Sequence, residues 1–113
     1  NGKKSRFLLE VKRALMLANV EVETVRVESW LPTKRFDSVV TRAFADLATT
    51  LVRVDHVLSD QGMVYAMKTQ QAQHEIDALP DATRQVTAQN ISVPGRDWSF
   101  QLLAVKPRAE AAL

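Results

Sequence analysis

The sequence predicts an α/β fold: a parallel sheet that ends in an antiparallel hairpin. Three observations carry this reading. The elements run helix, strand, strand, helix, strand, helix, strand, strand. Residues 63–68, MVYAMK, form a continuous apolar run closed by a lysine, a pattern that suits a strand buried on both faces. Two strand-like segments, 85–93 and 98–106, flank Pro94-Gly95-Arg96-Asp97. Pro-Gly at the centre of a turn favours type II, with glycine supplying the positive φ.

Each element has its own signal. In residues 3–18, Phe7, Leu8, Val11, Ala14, Leu15 and Ala18 make one broad apolar stripe at the 3.6-residue period. Arg6 and Arg13 fall on the opposite side, and Leu9 and Met16 lie off the stripe, suggesting a second contact. Asn19 is the expected left-handed residue at the helix end. Residues 20–27, VEVETVRV, read as a strand whose alternation slips near Thr24. Residues 36–42, FDSVVTR, read as a short strand. Asp46 is placed to cap a helix running to about Leu58, with Leu47, Leu51, Val54 and Leu58 on its apolar face. Gly62 is read as the stop beyond that helix. Residues 70–79 make a weak helix with Ala72, Ile76 and Leu79 inward, ended by Pro80. The last strand alternates, with Trp98, Phe100, Leu102 and Ala104 on one face that reads as core.

Composition narrows the function classes. At 113 residues, 46% hydrophobic and 25% charged, the chain matches one ordinary globular domain. No apolar run approaches the roughly 20 residues of a membrane helix, so no membrane partner is expected. With no cysteine, disulfide scaffolds and thiolate metal sites are excluded. A cytoplasmic setting fits, and neither His56 nor His74 sits in an acidic cluster that would suggest a metal. The three glycines, Gly2, Gly62 and Gly95, are too scattered to build a phosphate-binding loop. The chain opens on Asn1, which suggests a processed product or a piece of something longer. Charge is uneven. Residues 1–42 hold nine Lys/Arg against five Asp/Glu, and residues 43–113 hold six against eight. A basic start suits a phosphate-rich partner or an ordinary solvated helix face.

In open α/β sheets, ligands bind beyond the carboxyl ends of the strands. Those ends offer Arg26-Val27-Glu28, Thr41-Arg42-Ala43-Phe44 and Lys68-Thr69-Gln70. An acid, an arginine, an aromatic and a lysine on one rim would suit a cofactor together with a nucleic-acid base. Each has a plainer reading. Arg42 could pair with Asp37 or Asp46. Glu28 could be a solvated carboxylate, Phe44 core, and Lys68 a solvated charge.

The same residues carry a resemblance. Asn1-Gly-Lys-Lys-Ser-Arg-Phe-Leu, Arg26-Val-Glu, Phe36-Asp-Ser-Val-Val-Thr-Arg-Ala-Phe-Ala-Asp-Leu, Tyr65-Ala-Met-Lys, Asp77-Ala-Leu-Pro and Leu102-Leu-Ala-Val-Lys-Pro occur in that order. Together they closely resemble the GidB/RsmG family, S-adenosylmethionine-dependent methyltransferases that modify guanine N7 in small-subunit (16S) ribosomal RNA. The resemblance covers essentially the whole chain, and Thr-Arg-Ala-Phe-Ala-Asp-Leu is its most specific part. Full-length members are about twice as long. The resemblance therefore implies the carboxy-terminal half of a Rossmann-like methyltransferase fold, residues 1–107, lacking the first two strands and the glycine-rich donor loop. Residues 108–113 would be a flexible tail.

Carried over position by position, Val27 and Glu28 match donor contacts around the adenine, and Arg42 matches a further donor-site position. Lys3, Lys4 and Arg6 match a basic segment suited to RNA phosphates. Phe44 is placed to stack on the base, and Lys68 to reach a phosphate. Where the family commonly has glycine after this lysine, this chain has Thr69. No catalytic base is expected, because guanine N7 already carries an available lone pair. The strand at 36–42 would become an open edge, and the strand at 20–27 would lose its neighbours. A chain so exposed is expected to be marginal or oligomeric and not to bind donor measurably by itself. The competing class is a non-catalytic α/β RNA-binding or protein-interaction module.

Overall fold

A computed structural model describes residues 2–42, 45–68, 73–79, 85–95 and 99–106. The chain divides into two compact units, Asn1–Trp30 and Leu31–Leu113.

The first unit holds helix α1, Gly2–Ala14, and a 3-10 turn, Val27–Ser29. The helix stops earlier than its apolar stripe predicts, and Met16, not Asn19, is the left-handed residue, with φ +56°. Leu17 N–H donates to Lys12 O at 3.0 Å and Met16 N–H to Arg13 O at 3.2 Å. This is the Schellman pair of bonds, which satisfies two carbonyls the helix end would leave open. None of the α1 residues is buried, and Phe7 is 68% exposed. Residues 20–26 are not a strand. A strand exists through its ladder, and no ladder in the described sheet includes them. One described tie of this segment is the Thr24 hydroxyl bonded to Ser5 Oγ at 2.6 Å.

The second unit is built on a four-stranded sheet: β1, Phe36–Arg42; β2, Leu58–Lys68; β3, Gln85–Ser92; and β4, Ser99–Lys106. Their order is β1-β2-β4-β3. β1 pairs with β2 in parallel, while β4 runs antiparallel to both β2 and β3. Helix α2, Leu47–Val54, lies between β1 and β2 in sequence, as a parallel pair requires. Helix α3, Gln73–Asp77, follows β2. Gly95 has φ +79°, a conformation that glycine adopts without Cβ strain.

The register explains the core. Val39, Val64 and Val105 stand in one cross-strand row, and Thr41, Ala66 and Leu103 in the next. Val64, Ala66, Leu103 and Val105 are at most 1% exposed. Leu47, Leu51 and Val54 of α2 join them, so the predicted face of that helix is the buried one. The other sheet face carries Val40, Tyr65, Met67 and Leu102, half-buried to exposed. This reverses the expected face of β4: Leu103 and Val105 point into the core, whereas Phe100, Leu102 and Ala104 do not. It also corrects β2, which is fully buried on one face and not on both.

A further difference concerns Gly62. α2 gives way to a 3-10 turn at Asp55–Val57, and β2 begins at once with Leu58. Gly62 therefore lies inside β2, where it is buried, and does not terminate a helix. The ladder slips there: Phe36 pairs with Leu58, but Ser38 pairs with Met63. The residues between crowd together, so that a Cβ on Gly62 would lie 2.5 Å from Leu58 Cγ.

Candidate donor and RNA site

The carboxyl ends of β1 and β2 form one rim. Arg42 ends β1 and lies opposite Met67, which puts it next to Lys68 at the end of β2. The parallel pairing produces this, because both strands deliver their last side chains to the same edge of the sheet. Arg42 is exposed. Neither expected carboxylate is bonded to it. Asp37 accepts from the Ser59 hydroxyl at 3.1 Å. Asp46 caps α2, accepting from Thr49 N–H at 2.7 Å. The bond from the Thr49 backbone, helped by the Thr49 hydroxyl, holds the Asp46 carboxyl below the ordinary carboxylate range.

Lys68 is engaged inward. Its Nζ donates to Ala45 O at 2.8 Å and forms an ion pair with Glu75 Oε1 at 3.0 Å. The two side chains are 16% and 19% exposed. The same Glu75 oxygen accepts from Leu47 N–H at 2.9 Å. Glu75 is a site residue that the sequence does not mark. An isolated glutamate on a weak helix carries no local signal, and its role appears only when α3 folds back beside α2.

The other expected residues belong to the first unit or lie outside the described residues. Val27 and Glu28 are neighbours in the 3-10 turn of the first unit, with Val27 half-buried and Glu28 exposed. Lys3, Lys4 and Arg6 are exposed on the first turns of α1. Further along α1, Arg13 is paired with Glu10, which lowers the Glu10 carboxyl and raises the guanidinium. Phe44 and Thr69 lie outside the described residues, as do Trp98 and residues 108–113. Among the described residues no group of three His, Cys, Asp or Glu side chains could hold a metal ion. Among them, too, no helix is long and apolar enough to cross a membrane.

Comparison with known proteins decides the family of the chain. The sequence model of the GidB family, described as rRNA small subunit methyltransferase G, matches residues 1–100. The chain belongs to the GidB family. Its relatives include the ribosomal RNA small subunit methyltransferase G of Nitrosococcus oceani, 36% identical over 108 residues. That alignment covers 96% of this chain and 50% of the relative. The Hydrogenovibrio crunogenus protein of the same name is 40% identical over 106 residues, 94% of this chain and 49% of the relative. The Escherichia coli protein is 35% identical over 105 residues, 93% and 51% respectively. This GidB chain therefore spans about half the length of the curated relatives it matches. GidB proteins are methyltransferases by that name, and the mixed α/β sheet is consistent with a methyltransferase-like fold.

Proposed function

We propose that this chain supplies the carboxy-terminal half of an S-adenosylmethionine-dependent methyltransferase acting on guanine N7 of 16S ribosomal RNA. The observation that carries the reading is the family match through residues 1–100 in a chain half as long as its relatives. The exposed Arg42 at the end of a parallel strand supports it, since strand ends are where such sheets bind ligands.

In this reading residues 1–107 are part of one Rossmann-like domain, completed by strands and a glycine-rich donor loop outside this chain. β1 ends the described sheet, so its outer edge is where those strands would pair. The setting is cytoplasmic, where small ribosomal subunits are found. Val27 and Glu28 contribute to the adenine end of the donor. Arg42 holds the donor carboxylate or the guanine edge, for which its planar fork is suited. Lys3, Lys4 and Arg6 meet RNA phosphates, and Phe44 stacks on the base.

The chemistry asks for little else. A bound donor would supply its sulfonium methyl to the guanine N7 lone pair, the broken S–CH3 bond leaving its electrons on a neutral thioether. No proton leaves N7. Rate enhancement then comes from holding nitrogen, methyl and sulfur in line. Calorimetric titration tests the division of labour. This chain by itself should give no measurable heat with S-adenosylmethionine. Joined behind the amino-terminal half of the Hydrogenovibrio crunogenus relative, it should bind the donor. Micromolar binding to the 113-residue chain by itself would contradict the proposal.

A further inference from the structure

Three elements meet at one carboxylate oxygen. Glu75 Oε1, on α3, accepts from Leu47 N–H at the start of α2 and is ion-paired to Lys68 Nζ at the end of β2. Lys68 Nζ also donates to Ala45 O. These bonds are not interchangeable with solvent contacts, because both side chains are more than four-fifths covered. Removing one member of such a pair leaves the other charge covered and uncompensated.

The location gives the cluster its consequence. Leu47 N–H is one of the donors at the start of α2 that has no partner within the helix. Asp46 serves the Thr49 N–H and Glu75 the Leu47 N–H, so two carboxylates sit at the positive end of one helix. Lys68 balances the second of them while gripping the carbonyl of Ala45. Ala45 stands three positions after Arg42 in the chain. The start of α2 is thus tied to β2 and to α3, and the short span back to Arg42 has a fixed far end.

We infer that Lys68 and Glu75 form a latch that ties Ala45 and the start of α2 to the end of β2, making Lys68 a positioning residue for Arg42 on the neighbouring strand. Lys68 serves the rim from beneath, and its engaged ammonium argues against the phosphate contact expected from its place at a strand end. The inference deepens the proposed function, since Arg42 is the donor-site residue being positioned. Its structural content does not need donor or RNA to be read, so the two can fail separately.

Amide hydrogen exchange on the full 113-residue chain tests it. Lys68→Met and Glu75→Ala should speed exchange at Arg42 and at Ala45–Thr50 by roughly tenfold, while β3 and β4 amides change by less than about twofold. Lys68→Arg keeps a donor for both acceptors and should restore near-normal protection. The swapped pair Lys68→Glu with Glu75→Lys keeps the attraction but loses the acceptor for Leu47 N–H and the donor for Ala45 O, so it should not restore it. Glu75→Gln is the milder variant should the others not fold. It keeps an acceptor oxygen and should give a smaller, still local, increase. Exchange that rises equally across the sheet would reduce the pair to a general stabiliser and overturn the latch. Unchanged exchange at Leu47, or full rescue by the swapped pair, would overturn it as well.

Discussion

Replacing Gly62 with alanine puts one methyl group where the structure has no room for it. The added Cβ would lie 2.5 Å from both Cγ and Cδ1 of Leu58 and 3.0 Å from Ser59 O. Leu58 is fully buried and cannot swing into solvent. Its neighbours Val57 and Val54 are 2% exposed. Overpacking of this kind costs about 1–3 kcal/mol. The loss of glycine's unfolded-state entropy returns about 0.4–1 kcal/mol. The net should be a destabilisation of about 1–2 kcal/mol, or about 5–10 °C in melting temperature for a chain this small. Thermal melts followed by circular dichroism, with urea titration as a second probe, measure it. The partner is checked by a cycle with Leu58→Ala, which is costly by itself but should remove most of the penalty of Gly62→Ala. An unchanged or raised melting temperature for Gly62→Ala would refute the packing of β2 against its own beginning. So would a penalty that persists in the Leu58→Ala background.

Other outcomes follow from the same reasoning. Met16 is 86% exposed and left-handed, so Met16→Gly should stabilise the end of α1 by about 1 kcal/mol, read by exchange of its last-turn amides. Asp46 has a carboxyl held below its ordinary value, so its ionised form favours the fold above about pH 4, the unfolded value. That contribution is lost as pH falls through the lower folded value. Melts of Asp46→Asn and the parent chain should differ at pH 6 and converge toward pH 2. Val40 is 65% exposed on the strand that ends the described sheet, and Val40→Lys should reduce any self-association seen by sedimentation. In a full-length chimera, Arg42→Ala should abolish methylation while leaving RNA affinity within about threefold. Normal donor binding with collapsed RNA binding would contradict the role given to Arg42.

What the sequence disclosed was what is decided locally. β1 has the bounds its residues predict, Phe36–Arg42. The Asp46 cap and the Leu47, Leu51, Val54 face follow from side chains within two turns of each other. Features decided at a distance were not legible. Alternation in β4 shows two faces but not which one α2 covers, and the face with the larger side chains was not the inner one. Gly62 looks like a helix stop until the slip in the β1–β2 register places it inside a strand. Residues 20–26 have strand composition but no ladder in the described sheet. At the rim, the topology rule places Arg42 and Lys68 at the ends of neighbouring strands. It could not show that Lys68 was already engaged by a glutamate from α3, since that contact depends on where the chain returns.

The most direct test of the central claim is methyl transfer by the chain joined behind the amino-terminal half of the Hydrogenovibrio crunogenus relative. The substrate is small-subunit ribosomal RNA, and labelled S-adenosylmethionine is the methyl source. Nucleoside analysis of the product should show label in N7-methylguanosine, lost on Arg42→Ala. A folded chimera that binds donor yet labels no RNA, or labels a different atom, would contradict the account.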